Sequence, residues 1–134
     1  MPGEAFFDTS IVIYALSRND PRATVAEDLL SAGGIVSVQV LNEFIAVARR
    51  KLSMSWTEID QALAAIRALC GTPVPITLAI HEMAVEIAQR YRFHIYDSLM
   101  VAAALDAGCT ILYSEDMQNR QAVEALTVRN PFSI

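Results

Sequence analysis

Acidic residues stand at several places in this chain where carboxylates can do chemistry. Asp8 ends the short apolar run Ala5-Phe6-Phe7, and Ser114-Glu115-Asp116 ends a second apolar run, Cys109 to Tyr113. Asp97 opens a stretch, Ser98 to Leu105, that is apolar almost throughout, and Glu43 lies about one turn into an amphipathic segment. Three or four carboxylates gathered on one rim repel one another, raise their pKa values and destabilise the fold unless something intervenes. A divalent cation removes that cost. All-oxygen donor sets select hard ions, Mg²⁺ or Mn²⁺, which keep several waters and accept phosphate oxygens. Such an ion activates water and neutralises charge on a phosphodiester during in-line displacement.

Each acid also has an ordinary structural account. Asp8 and Asp97 are each suited to capping a helix. Glu43, beside Asn42, suits a solvated helix margin, and Glu115-Asp116 suits a polar turn after a strand. Which account holds depends on where the surrounding elements carry these residues.

The order of elements is strand, helix, strand, helix, repeated. Residues 5–7 read as a strand that opens into a helix over Thr9 to Leu16, with Asp8 near its cap. Pro21 to Ala32 is a second helix closed by Gly33-Gly34, followed by a strand at Ile35 to Val38. Val38, Leu41, Ile45, Ala48 and Leu52 fall at helical spacing, and that helix carries Arg49-Arg50-Lys51 in its last turn, where the dipole favours cations. Ser55-Trp56-Thr57-Glu58 is a capping-box signature for a helix reaching about Leu69. Thr77 to Arg90 is helical, residues 97–105 form a helix buried on most sides, and Cys109 to Tyr113 and Leu126 to Val128 are the remaining strands. Apolar strands alternating with helices predict an α/β protein with a parallel sheet covered on both faces. In such sheets ligands bind beyond the carboxyl ends of the strands. Asp8 and Glu115-Asp116 are thereby expected on one edge, with Glu43 and Asp97 in early helix turns that can face it.

Composition narrows the function classes. With 134 residues, 54% of them apolar, and no repeat or linker, the chain is expected to form a single domain over residues 1–134. No run approaches the roughly 18–20 apolar residues needed to span a bilayer. The first residues lack the pattern of a signal peptide, and Cys70 and Cys109 form neither a disulfide framework nor a thiolate metal motif. A cytoplasmic location is the expectation. The net charge of −5 argues against holding nucleic acid through bulk positive charge, unless cations from outside offset the acids. Nine of the ten basic residues are Arg, the exception being Lys51.

Taken together, Phe7-Asp8-Thr9-Ser10, Leu41-Asn42-Glu43-Phe44, Tyr96-Asp97-Ser98-Leu99 and Leu112-Tyr113-Ser114-Glu115-Asp116 resemble a PIN domain, most closely the VapC-type ribonuclease toxins of bacterial toxin–antitoxin pairs. The resemblance covers almost the whole chain. It implies a PIN-like, Rossmann-like three-layer α/β fold, with a central parallel sheet of about four to five strands flanked by helices. It further implies a Mg²⁺- or Mn²⁺-dependent endoribonuclease in which Asp8, Glu43 and Asp97 are the core metal acids and Asp116 the fourth. Glu115 is an alternative to Asp116, and Ser114 resembles a supporting hydroxyl that bonds a carboxylate or a metal-bound water. An RNA substrate, a cognate antitoxin lying over the acidic groove, a homodimer and cleavage to a 3′-hydroxyl and 5′-phosphate belong to the same implication.

Competing readings fit less well. A haloacid-dehalogenase-type phosphotransferase wants a second Asp where Ser10 stands, and a receiver domain wants a Lys after a late strand, where none occurs. A non-catalytic PIN-like binding module remains the alternative from another class. His81 suits a helix surface, whereas Arg90, Arg92 and His94 lie just before Asp97 and suit either a solvated helix end or RNA phosphates.

Overall fold

The computed structural model describes residues 4–17 and 19–132. Its elements run β1 (Ala5–Phe7), α1 (Thr9–Ala15), α2 (Arg22–Ser31), α3 (Val38–Arg50), α4 (Trp56–Cys70), α5 (Leu78–Tyr91), α6 (Ile95–Asp106), β2 (Ile111–Tyr113), β3 (Ala122–Val123) and β4 (Leu126–Arg129). The architecture is α/β: among the described residues, a four-stranded sheet in the order β1-β2-β4-β3 with six helices.

The centre of the sheet is parallel, as expected, and one edge is not. β1, β2 and β4 are mutually parallel, but the two-residue β3 runs antiparallel to β4. A two-residue turn at Glu124-Ala125 joins β3 to β4, and so short a connection can only return the chain antiparallel. Glu124 takes a positive φ of 53° to make it. The strand expected at Ile35 to Val38 is also shorter than it looks. It contributes two isolated parallel bridges, Phe6 with Ile35 and Ser37 with Val74, because the Ser37 side chain caps α3 and helix begins at Val38. Gly34 lets this segment lie against β1: a Cβ there would stand 2.4 Å from the Phe7 ring and 2.8 Å from the Ala5 carbonyl oxygen.

Helix starts follow side-chain chemistry closely. Ser37, Ser55 and Thr77 each accept from an early backbone N–H, and Ser55 with Glu58 completes the capping box. α6 is the difference. Its cap is His94, whose Nδ1 accepts from Tyr96 N–H, so Asp97 lies within the first turn rather than capping it. Every residue from Ser98 to Ala104 is buried, since α6 has α5 on one side and the sheet on the other. Phe6, Phe7, Phe44, Leu112, Leu126 and Val128, fully buried, centre the core between sheet and helices. No helix among the described residues is long and apolar enough to cross a membrane.

Candidate active site

The register Phe7↔Tyr113 aligns the carboxyl ends of β1 and β2, so the residues that follow, Asp8 and Ser114, become neighbours although 106 positions separate them. Asp8 N–H donates to Tyr113 O at 3.1 Å, which ties the two strand exits together. The Asp8 carboxylate uses both oxygens. Oδ1 accepts from Ser10 N–H at 2.8 Å as the cap of α1, and Oδ2 accepts from the Ser114 hydroxyl. The cap reading and the site reading of Asp8 therefore coexist. Ser114 Oγ, fully buried, also accepts from Asp116 N–H at 3.2 Å and Met117 N–H at 3.3 Å, folding the turn after β2 around one oxygen.

Asp8, Glu43, Asp97 and Asp116 line one cleft of about 350 Å³. Four separate elements deliver them: the end of β1, α3, α6 and the turn after β2. Burial pushes the Asp8 carboxyl up to about 6, its bonds from Ser114 and Ser10 pull it back, and Asp116 and Asp97 push it up again. Glu43, Asp97 and Asp116 are likewise raised, each chiefly by burial. Glu43 also feels Asp97 and Asp116, Asp97 feels Asp116, and Asp116 feels Glu115. Nearby His94 lowers Glu43 and Asp97. Among the described residues, the one side chain bonded to Glu43 is that of Gln39, one turn earlier on α3, at 3.1 Å. None of the four acids forms an ion pair with a described residue.

Glu115 takes the opposite direction from its neighbour Asp116. Its Oε1 accepts from the Tyr14 hydroxyl and its Oε2 from Arg22 Nη1 at 3.2 Å. Arg22 also donates to the Tyr14 oxygen at 2.9 Å, forks onto Asp20 and lies 4.1 Å above the Tyr14 ring. Burial and the bond to Glu115 push the Tyr14 phenol up to about 12. Between the two acids left open by the sequence, Asp116 lines the cleft and Glu115 is engaged outside it.

The Tyr14–Arg22–Asp20 set was not among the sequence candidates. Its one signal was helical spacing, since Ser10 and Tyr14 lie four apart on α1 and both line the cleft. Thr9 was missed as well. Its Oγ1 is buried on the cleft wall and is the sole buried side-chain polar atom among the described residues with no hydrogen-bond partner.

The donor set suits a hard divalent cation: four carboxylates, no thiolate, and an orphaned hydroxyl at hand for an ion's water. Among the described residues no group of three or more Asp, Glu, His or Cys side chains already stands in position to hold an ion. Binding would have to draw the carboxylates together, and Asp8 keeps lone pairs free for an ion beside its bonds from Ser10 and Ser114.

Comparison with known proteins identifies the fold and the family. The family model of the PIN domain matches residues 5–124. No curated protein matches the chain. Among solved structures, a toxin–antitoxin complex from Klebsiella pneumoniae superposes with a TM-score of 0.74 at 20% identity, covering 97% of this chain and 99% of that one. VapC20 of Mycobacterium tuberculosis, described as a sarcin–ricin-loop-cleaving toxin, matches at TM-score 0.65 and 25% identity over 84% of this chain and 89% of its own. VapBC2 of Rickettsia felis, bound to a fragment of promoter DNA, matches at 0.68 and 15% identity over 94% and 97%.

Proposed function

The chain belongs to the PIN domain family, and from that premise we propose that it is a Mg²⁺- or Mn²⁺-dependent endoribonuclease, the toxin of a toxin–antitoxin pair. The observation that carries this is the cleft itself: four carboxylates from four elements converge there, and none has a cationic partner among the described residues. Acids assembled at that electrostatic cost are explained by a cation that binds among them. The likeness to toxin structures, one of them named for cutting the sarcin–ricin loop, supports RNA as the substrate class.

In this reading Asp8, Asp97 and Asp116 hold the ion directly or through water. When bound, the ion supplies Lewis acidity toward a phosphate oxygen and lowers the pKa of a water. Glu43, raised by burial and tethered to Gln39, orients the attacking water. Ser114 holds Asp8 and the Asp116 turn in register, and the buried Thr9 hydroxyl is placed to bond an ion's water. Cleavage would leave a 3′-hydroxyl and a 5′-phosphate and would block translation. A single domain over residues 1–134, a homodimer, a cytoplasmic location and an antitoxin that covers the cleft complete the proposal.

The test is cleavage of total cellular RNA by the purified, antitoxin-free protein with Mg²⁺, with Mn²⁺, with EDTA and with Asp97→Asn. Discrete cuts that vanish in EDTA and fall ~100-fold or more in the variant are expected. Folded protein that cuts no RNA with either metal would leave the non-catalytic binding module as the better account.

A further inference from the structure

We propose that Lys51 is a substrate contact that holds an RNA phosphate a few nucleotides from the bond that is cut. This rests on the nuclease reading above and adds to it a binding residue outside the carboxylate set.

Lys51 is the one lysine in the chain and the C-cap of α3. It is exposed, and it lines the same cleft as the four acids. Helical spacing explains why. Glu43, Val47 and Lys51 lie four apart on α3, so they share one face, and all three line that cleft. A cation at a helix C-terminus has an ordinary dipole explanation, but Arg49 and Arg50 already supply that charge in the last turn. Arg49 faces elsewhere, donating to Met54 O at 3.1 Å and lying 5.0 Å from the Trp56 ring. Lys51 alone of the three reaches the cleft.

An ammonium in a cleft with four carboxylates would be expected to pair with one of them. Lys51 forms no ion pair with any described residue. Eight residues of helix separate its position from that of Glu43, a rise of about 12 Å. A stacked strand covers that span in three or four nucleotides at about 3.4 Å each, and an extended one in about two. Past Lys51 and Leu52, which line both spaces, the cleft opens into a wider groove of about 1470 Å³, so a strand has room to continue. A lysine is a point charge on a flexible stem and does not require a fixed phosphate orientation. It therefore sets register along the RNA backbone without reading bases.

The test pairs a protein change with an RNA change. Lys51→Gln and Lys51→Arg are made in the active protein and in Asp97→Asn, which reports binding without cleavage. A short labelled oligonucleotide containing a mapped cut site is titrated by fluorescence anisotropy at several salt concentrations. Lys51→Gln is expected to weaken binding about three- to fivefold and to reduce the salt slope by about 0.7. It should raise KM and leave kcat unchanged, with Lys51→Arg restoring KM and the salt slope. Neutral methylphosphonates placed singly at the first to fourth phosphates on either side of the cut should find one position that weakens wild-type binding and makes no difference to Lys51→Gln. Equal affinity and salt slope in Lys51→Gln, with no such phosphate, overturns the assignment while the nuclease reading stands. Absence of both cleavage and RNA binding in the parent protein overturns the nuclease reading, and the Lys51 assignment with it.

Discussion

Asp8→Asn is expected to make the metal-free protein more stable above neutral pH while removing its activity. Asp8 is 2% exposed, and burial raises its pKa from an ordinary 3.8 to about 6. Below pH 3.8 the carboxyl is neutral in both folded and unfolded chains and costs nothing. Between about 4 and 6 the unfolded chain ionises while the folded one keeps its proton, so stability falls as pH rises. Above 6 the full penalty is present, two units of pKa or about 3 kcal/mol. Asn keeps the oxygen that accepts from Ser10 N–H and is as good a cap as Asp. It places an amide where Oδ2 accepted from Ser114, whose oxygen already serves Asp116 and Met117, and that costs about 1 kcal/mol at every pH. The net expectation at pH 7.5 in EDTA is a gain of about 2 kcal/mol. The decisive quantity is the slope, because the lost hydrogen bond does not titrate. Urea unfolding in EDTA at intervals from pH 4 to pH 8 measures it. The variant's advantage over wild type should grow by about 2 kcal/mol across that range and shrink when Mg²⁺ is added to the wild type. A difference that stays flat with pH, or a wild type that gains on the variant as pH rises, would refute the reasoning. Asp8 would then be a stabilising charged cap.

Two further changes probe the frame around the site. Ser114→Ala removes the donor to Asp8 and the acceptor for two backbone N–H groups, so a loss of about 2–3 kcal/mol is expected by urea unfolding. With that bond gone the Asp8 pKa moves above its present value, so the Mg²⁺-dependent rate should need a higher pH, and Ser114→Thr should retain both properties. Gly34→Ala drives a methyl group into the Phe7 ring and should cost about 1–3 kcal/mol, read as a fall in Tm. Shortening the ring with Phe7→Leu in the same chain should recover part of it.

The parts of this architecture that depend on local chemistry are visible in the residues themselves. Ser55 and Thr77 cap their helices because a hydroxyl before an apolar-periodic run accepts from the first free N–H groups, whereas the Ser37 cap lay hidden in the apolar run Ile35 to Val38. The common rim for Asp8 and Ser114-Glu115-Asp116 follows from apolar strands and parallel pairing. What was hidden depends on pairing partners or on direction. β3 is two residues long and exists through its bonds to β4, so no apolar run announces it. His94 displaced Asp97 as a cap because imidazole Nδ1 can do what a carboxylate does, a choice that composition does not reveal. Glu115 and Asp116 are chemically alike neighbours. Only Arg22 and Tyr14, distant in sequence, determine which of them faces the cleft.

The span between Asp8 and Ser114 bears on how the protein is made. β1 has apolar residues buried on both faces, and of its two edges one meets only the Ile35 bridge while the other pairs with β2. A nascent chain emerging from its N-terminus must therefore carry β1 without its principal neighbour until residues 111–113 have been synthesised. Asp8 gains the Ser114 bond at the same late moment, and Asp116 takes its place beside it only then. All the residues from Asp8 to Asp116 must thus be outside the synthetic machinery before the acids meet. If those acids cut RNA, the chain can act on nothing until residue 116 has emerged, and a product truncated before that residue carries no working edge.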